Sequence, residues 1–115
     1  MVAVPMTSEK MTAEEWLDEA VIRLRGELDP HLVLLFGSRA RGTATRRSDL
    51  DMLIVWNTQE PHLARIGRVL TLLSDSPWPV EVIAYTPREL EAKRSSPFVR
   101  GILNEGKVLY ERRAA

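Results

Sequence analysis

The residues of this chain that could do chemistry lie close together, between Gly37 and Asp51. Gly37 and Ser38 form a small polar pair, and after ten intervening residues Asp49 and Asp51 flank a single leucine. If that second segment is a strand, both aspartates project from the same face, roughly 6.6 Å apart along the backbone. Two carboxylates so placed can bind divalent ions about 3.5–4 Å apart. Without a cation they repel each other by about 4 kcal/mol at a separation of 4 Å and an effective dielectric constant near 20. The pattern therefore predicts a metal-binding pair.

The glycine–serine pair has the composition of a phosphate-binding turn. Glycine allows close approach of the backbone, and Ser38 offers both an N–H and a hydroxyl. Oriented N–H groups in such turns form anion-binding sites. Four arginines, at positions 39, 41, 46 and 47, lie between the turn and the acidic pair. A phosphate site beside a metal site is typical of nucleotide binding. The alternative is a glycine–serine turn followed by an exposed acidic hairpin.

Three apolar runs predict the strands that position these residues. The run Leu32–Phe36 leads into the turn, and a second run, from Leu50 to Trp56, carries Asp51 near its start. A third run, Val80–Tyr85, contains one carboxylate, that of Glu81. A charged group in an apolar strand needs a partner or solvent. Two interpretations stay open: a third acid beside the two aspartates, or a glutamate that faces water at a sheet edge.

Two amphipathic helices are predicted around these strands. Thr12 and Glu15 have the spacing of a capping box, which starts a helix over residues 13–27 with Trp16 and Leu17 on its core face. A second helix is predicted to end near residue 74. Its core stripe is predicted as Leu63, Ile66, Leu70 and Leu73, with Arg65 and Arg68 facing solvent.

The last third of the chain is predicted to form two short helices and a closing strand. Pro87 and Pro97 each follow a capping residue, at the first helical position. In the second of these helices Phe98, Val99, Ile102 and Leu103 form the apolar face. Gly106 is predicted as the residue just after the helix, where glycine commonly ends helices. A strand over residues 107–111 follows.

Length and composition predict one domain at residues 12–115, preceded by a flexible leader at residues 1–11. The 115 residues carry sixteen basic and sixteen acidic side chains, so no overall charge attracts nucleic acid. The absence of cysteine excludes disulfides and thiolate metal sites. No secretory signal is apparent, and no apolar stretch approaches the ~20 residues that span a membrane. We expect a cytoplasmic protein with no membrane contact and no strong direct binding to nucleic acid.

The central motif resembles that of the DNA polymerase β superfamily of nucleotidyltransferases. The forms Gly-Ser-x-Ala-Arg-Gly at 37–42 and Ser-Asp-x-Asp at 48–51 are similar to those of minimal nucleotidyltransferase (MNT) domains, and the resemblance extends from Leu32 to Tyr110. It implies a single-domain nucleotidyltransferase fold of the α/β (α+β) class, with helices packed on a small mixed β-sheet.

The resemblance also implies roles for individual residues. It assigns metal binding and catalysis to Asp49, Asp51 and Glu81. Phosphate binding falls to Gly37, Ser38, Arg39, Arg41 and Ser48. The cofactors would be two Mg²⁺ or Mn²⁺ ions, and the co-substrate ATP or another nucleoside triphosphate. MNT domains usually carry aspartate where this chain has Glu81, so whether the glutamate supports full activity stays open.

MNT proteins of this size typically pair with helical HEPN-domain proteins, often as antitoxins of HEPN ribonucleases. Some transfer AMP to a tyrosine hydroxyl of the partner. The resemblance thus implies a nucleotidyltransferase that transfers a nucleoside monophosphate, AMP in the first place, to a HEPN partner. Two alternatives stay open. One is an inactive MNT-fold module that neutralises its partner by contact, and the other is a transferase acting on a small molecule. The acceptor atom, the base preference, the oligomeric state and the roles of Arg46 and Arg47 are not determined by the sequence.

Overall fold

The computed structural model describes residues 11–113, which form five helices and four strands. In chain order they are α1 (Ala13–Leu28), β1 (Leu32–Phe36), α2 (Ser38–Arg41), β2 (Leu50–Val55), α3 (His62–Leu72), β3 (Val80–Tyr85), α4 (Pro87–Lys93), α5 (Pro97–Glu105) and β4 (Lys107–Glu111). The sheet has the order β3-β2-β1-β4. Strand β1 is antiparallel to both β2 and β4, while β2 and β3 are parallel. This mixed sheet with packed helices confirms the predicted fold class.

Helices cover both faces of the sheet, which explains why the central strands are continuously apolar. On one face Met52 and Ile54 of β2 pack in a cluster with α1 and α3. On the other face Leu53 and Val55 pack in a cluster with α4 and α5. Because side chains alternate along a strand, Asp51 lies on the face of Leu53 and Val55, just beyond the apolar cluster.

The predicted helix starts are confirmed at atomic detail. The Thr12 hydroxyl accepts from the Glu15 N–H at 3.1 Å, and the Glu15 carboxylate accepts from the Thr12 N–H at 2.9 Å. Thr86 and Glu89 repeat this capping box at the start of α4. The predicted core position of Trp16 is confirmed too, since only 2 % of its surface is exposed.

The predicted core stripe of α3 is confirmed in part: Leu73 is buried and Ile66 packs against the core cluster. The core positions predicted for Leu63 and Leu70 and the solvent-facing position predicted for Arg65 are wrong. Leu63 is 81 % exposed and Leu70 is 40 % exposed, whereas Val69 and Arg65 are buried. The helix is therefore rotated so that Arg65 and Val69 face the core, and Leu63 and Leu70 do not. Its guanidinium is compensated there, by the Glu89 carboxylate at 2.6 Å and by the Glu60 carbonyl at 2.8 Å. The exposed position predicted for Arg68 is confirmed.

Two details of the last helix also differ from prediction. Phe98 is 62 % exposed, although Val99 and Ile102 are buried as expected. Gly106 follows α5 but has φ of −69°, so it does not end the helix by a left-handed conformation. Its lack of a side chain matters for packing instead, because a Cβ atom there would overlap the Leu34 side chain of β1.

The predicted leader falls, except for Met11, outside the described residues, and the Met11 side chain packs against the core cluster on the α1 face. The domain limits at residues 12 and 115 stay a prediction. Among residues 11–113, none of the helices combines the length and the apolar character that crossing a membrane requires.

Candidate active site

The glycine–serine turn joins the end of β1 to a helical turn. Gly37 has φ of +75°, a conformation that side-chain-bearing residues rarely adopt, and α2 starts at the next residue. The Gly37 carbonyl accepts from the N–H groups of Ala40 and Arg41, each at 3.1 Å. The amides of Ser38 and Arg39 belong to the first turn of α2, which has no preceding carbonyl to pair with them within the helix.

Gly37 is also required by its contact with Asp51. A Cβ atom at position 37 would overlap the Asp51 carboxylate. The two residues are neighbours because Phe36 pairs with Asp51 across the antiparallel β1–β2 ladder. The group that lies close to the Gly37 backbone is thus one of the predicted metal ligands, and phosphate binding at this turn stays a prediction.

The structure brings together all three predicted acidic residues. Asp49 directly precedes β2, Asp51 is its second residue, and Glu81 lies opposite Asp51 in the parallel β2–β3 ladder. One carboxylate oxygen from each lies within 4.8 Å of the others. Asp49 and Asp51 are half-buried, and Glu81 is exposed.

Ionisation of Asp51 is unfavourable in this cluster. Burial raises the pKa of Asp51 to about 6, with further contributions from a hydrogen bond with Glu81 and from the negative charges of Glu81 and Asp49. The positive charge of Arg41 acts in the opposite direction on this pKa. Converging carboxylate oxygens are the ligands that Mg²⁺ and Mn²⁺ prefer, so the residues present fit a divalent ion.

The arginines of the motif have different surroundings. Arg41 is exposed, and its Nη1 lies 3.5 Å from Oε2 of Glu105 at the end of α5. The guanidinium of Arg39 donates from Nε to the Ser48 carbonyl at 3.1 Å and lies 5.3 Å from the centroid of the Trp78 ring. Arg39 and Arg41 therefore point to different neighbours, although they are two residues apart.

Ser48 and the remaining loop arginines complete the connection between α2 and β2. The Ser48 hydroxyl accepts from the Thr45 N–H at 2.9 Å, which closes the loop on itself. Arg46 and Arg47 are exposed. Sequence reasoning missed Glu105 and Trp78, because they lie 64 and 39 residues along the chain from their arginine partners and no local pattern marks them.

The acidic cluster is partly accessible to solvent, since Glu81 is exposed and the two aspartates are half-buried. A cavity of about 530 Å³ lies elsewhere, between α1, the β1–β4 edge of the sheet and the loop at residues 42–46. Leu35, which packs on the α1 face, contributes to its wall, while none of the three acids does.

Comparison with known proteins agrees with this geometry. Residues 22–115 match the family described as "Polymerase beta, Nucleotidyltransferase". The chain belongs to the polymerase beta nucleotidyltransferase family. It is 31 % identical over 103 residues to a "putative protein adenylyltransferase" of Methanocaldococcus jannaschii, covering 84 % of this chain and 70 % of the relative. A second protein of that description from the same organism is 30 % identical, with 90 % and 99 % covered.

Solved structures of nucleotidyltransferases share the fold. A "putative nucleotidyltransferase" from Sulfolobus solfataricus superposes with a TM-score of 0.61 at 21 % identity, covering 84 % of this chain and 78 % of that one. A "putative minimal nucleotidyltransferase" gives 0.52 at 27 % identity, with 91 % and 98 % covered. A toxin–antitoxin structure with AMP-PNP gives 0.56 at 23 % identity, with 84 % and 74 % covered.

The family confirms the predicted enzyme class: the protein is a nucleotidyltransferase. A nucleoside triphosphate substrate and a divalent metal are properties of this family, and the chain presents a carboxylate cluster suited to the metal. The roles of the individual site residues stay predictions.

Proposed function

We propose that this nucleotidyltransferase transfers AMP from ATP to a hydroxyl group of a partner protein. The observation that carries the proposal is the position of the Asp51 carboxylate, against the Gly37 backbone on one side and opposite Glu81 on the other. A triphosphate at the turn and an acceptor at Glu81 would then share one acidic cluster. Two relatives described as protein adenylyltransferases favour a protein as the acceptor.

The phosphate-binding groups are those of the turn. Ser38 offers its hydroxyl and its amide to the β- and γ-phosphates, and Arg41 offers a guanidinium on an exposed side chain. To bind phosphate, Arg41 would leave Glu105, and that exposed pair at 3.5 Å is weak enough to exchange. Asp49, Asp51 and Glu81 would hold Mg²⁺ or Mn²⁺, which when bound neutralises phosphate charge and acidifies the acceptor hydroxyl.

The reaction is an in-line displacement at the α-phosphorus. A new bond forms between the acceptor oxygen and that phosphorus, the bond to the bridging α–β oxygen breaks, and pyrophosphate leaves. Glu81 is the candidate general base, because it is exposed beside the two aspartates and can reach an incoming hydroxyl. The proton of the acceptor hydroxyl moves to its carboxylate.

We further propose that the acceptor belongs to a HEPN-type helical partner, with this protein as the antitoxin. A toxin–antitoxin pair is among the structural neighbours. The exposed position of Glu81 beside the two aspartates leaves room for a macromolecular acceptor.

The test combines label position with a matched variant. Purified protein, Mg²⁺ and the HEPN candidate are incubated with ATP labelled at the α- or the γ-phosphorus. Transfer of AMP predicts a labelled partner with the α-label alone, whereas a kinase would give the γ-label alone. Asp49→Asn with Asp51→Asn should abolish labelling, and Glu19→Gln, an exposed acid on α1, should leave it unchanged. A stable complex that never acquires label would favour neutralisation by contact.

A further inference from the structure

The guanidinium of Arg39 is bound by protein groups on three sides. Its Nε donates to the Ser48 carbonyl at 3.1 Å, its Nη2 donates to the Arg46 carbonyl at 3.5 Å, and its Cζ lies 5.3 Å from the Trp78 ring centroid. Both carbonyls belong to the loop between α2 and β2. The side chain is half-buried, in contrast to the exposed Arg41.

These contacts connect the three segments that carry the candidate active site. Arg39 follows Ser38 of the phosphate turn, and Ser48 directly precedes Asp49. Trp78 belongs to the turn that leads into β3, the strand of Glu81. That turn is also bonded to the start of β2, since the Leu50 N–H donates to the Pro79 carbonyl at 2.8 Å.

We infer that Arg39 is a positioning residue, which holds the Asp49 and Glu81 segments in register with the phosphate turn, and that it is not itself a phosphate ligand. The inference rests on the proposed function for its role in the reaction. To bind phosphate through Nε, Arg39 would have to release the Ser48 carbonyl beside Asp49. Arg41 needs no such release of a backbone group, because its only bonded partner among the described residues is the Glu105 carboxylate.

Arginine suits this role better than lysine. Its planar guanidinium can donate in its plane to two carbonyls while its face lies over an aromatic ring. A lysine ammonium keeps the charge but has neither the fixed fork of donors nor the flat face. Arg39→Lys therefore separates a positioning role from a charge that attracts phosphate.

The test measures Mn²⁺ binding by isothermal titration calorimetry, together with steady-state kinetics. Outer groups that orient metal ligands typically change metal affinity by about 10- to 100-fold when removed. We expect Arg39→Lys and Arg39→Ala to weaken Mn²⁺ binding alike, by about 10-fold. Both should lower kcat while KM for the nucleotide changes little. Arg46→Ala, a matched change at an exposed loop arginine, should alter neither quantity.

Two outcomes would overturn the inference. One is an Arg39→Lys enzyme with wild-type Mn²⁺ affinity and kcat. The other is a loss confined to the KM for the nucleotide in Arg39→Ala, restored by lysine. Circular dichroism and thermal melting establish that each variant is folded. Because Mn²⁺ titration needs no acceptor, it tests the positioning role even if no protein acceptor is ever labelled, an outcome that would count against the proposed function instead.

Discussion

Asp51 and Glu81 lie directly opposite each other on adjacent parallel strands, and one oxygen of each lies within 4.8 Å of the other and of Asp49. Burial and the neighbouring acids raise the pKa of Asp51 to about 6. The fold thus brings together negative charges that disfavour each other in the absence of a cation. Because ionised Asp51 is disfavoured in the folded protein, it lowers the free energy of unfolding at neutral pH, and this cost can be measured.

Divalent metal should stabilise the protein, and more so at higher pH. Ligand at about 100 times its Kd adds about 2.7 kcal/mol to the free energy of unfolding. Protons compete with metal for Asp51, so the increase in Tm with Mn²⁺ should be larger at pH 7.5 than at pH 5. Thermal melting with and without Mn²⁺ measures this. In Asp51→Asn the increase should nearly vanish, and an undiminished increase there would place the metal elsewhere.

Without metal, Asp51→Asn should stabilise the protein at neutral pH. The folded protein holds the Asp51 proton more tightly than the unfolded chain between the ordinary pKa of 3.8 and the raised value of about 6. The free energy of unfolding of the wild type therefore falls as pH rises through this interval. Because water reaches this half-buried group, we expect a gain on the order of 1 kcal/mol for the variant at pH 7.5, and little gain at pH 3.5.

Asp75→Asn is a control variant whose effect on the free energy of unfolding at neutral pH should have the opposite sign. The hydrogen bond from Arg23 lowers the pKa of Asp75, so its ionised form stabilises the fold above the ordinary pKa. The variant should be less stable than the wild type at pH 7.5, and this difference should shrink as pH falls through the lowered pKa. Urea titrations in EDTA across pH measure both variants. The same pH trend in both would contradict the raised pKa of Asp51.

Glu81→Gln should reduce the rate of the chemical step more than the affinity for nucleotide. Loss of a general base typically costs about 10²- to 10⁴-fold in rate. We expect kcat to fall in that range while the Kd for a non-hydrolysable ATP analogue changes several-fold at most. Glu81→Asp, which keeps the carboxylate and removes one methylene, should retain part of the activity. A wild-type rate in Glu81→Gln would make Glu81 an edge residue that faces water.

Gly37→Ala should destabilise the protein and abolish transfer. The new Cβ would overlap the Asp51 carboxylate, and φ of +75° is unfavourable for alanine. A left-handed residue of this kind costs about 1–3 kcal/mol. Gly26→Ala is the matched control, because Gly26 lies inside α1 with no atom near its added Cβ. That change should stabilise the helix by about 1 kcal/mol. Equal effects of the two substitutions on Tm would contradict the close contact at Gly37.

The strands and the pair of aspartates could be predicted because their signals are local. Side-chain alternation fixes the relation of Asp49 to Asp51, and the capping boxes at Thr12 and Thr86 each need only four consecutive residues. The pairing of Glu81 with Asp51 is a matter of strand register, which the sequence alone does not fix. The family resemblance implies that Glu81 lies beside the two aspartates, and the structure shows it opposite Asp51.

The rotation of α3 could not be predicted, because it depends on a partner distant in sequence. Leu63 and Leu70 gave the helix an apparent apolar stripe, yet both are exposed. Arg65 faces the core because Glu89, 24 residues later, compensates its charge. The same limitation applies to Arg41, whose partner Glu105 lies 64 residues away. A charged residue is assigned to the surface by default, and only tertiary structure reveals the exception.

The buried side of the Arg65–Glu89 ion pair leads to a stability prediction. Removing one partner of a buried ion pair costs about 3–5 kcal/mol, because the remaining charge is uncompensated. The Arg65 side chain is 9 % exposed, but that of Glu89 is 38 % exposed, so water reduces the cost. We expect Glu89→Ala to lower the free energy of unfolding by about 2 kcal/mol, including the lost cap of α4.

Two further variants show how much of the cost of Glu89→Ala comes from leaving a buried charge without its partner. Glu60→Ala removes the partner of Arg68 in an exposed pair of similar length, 2.8 Å against 2.6 Å, and should cost less than about 1 kcal/mol. Arg65→Met fills the same space without a charge and leaves Glu89 with access to water, so it should cost less than Glu89→Ala. Urea denaturation measures all three. If Glu89→Ala proved no more costly than Glu60→Ala, the buried guanidinium would not depend on its carboxylate, and the rotation of α3 would need another cause.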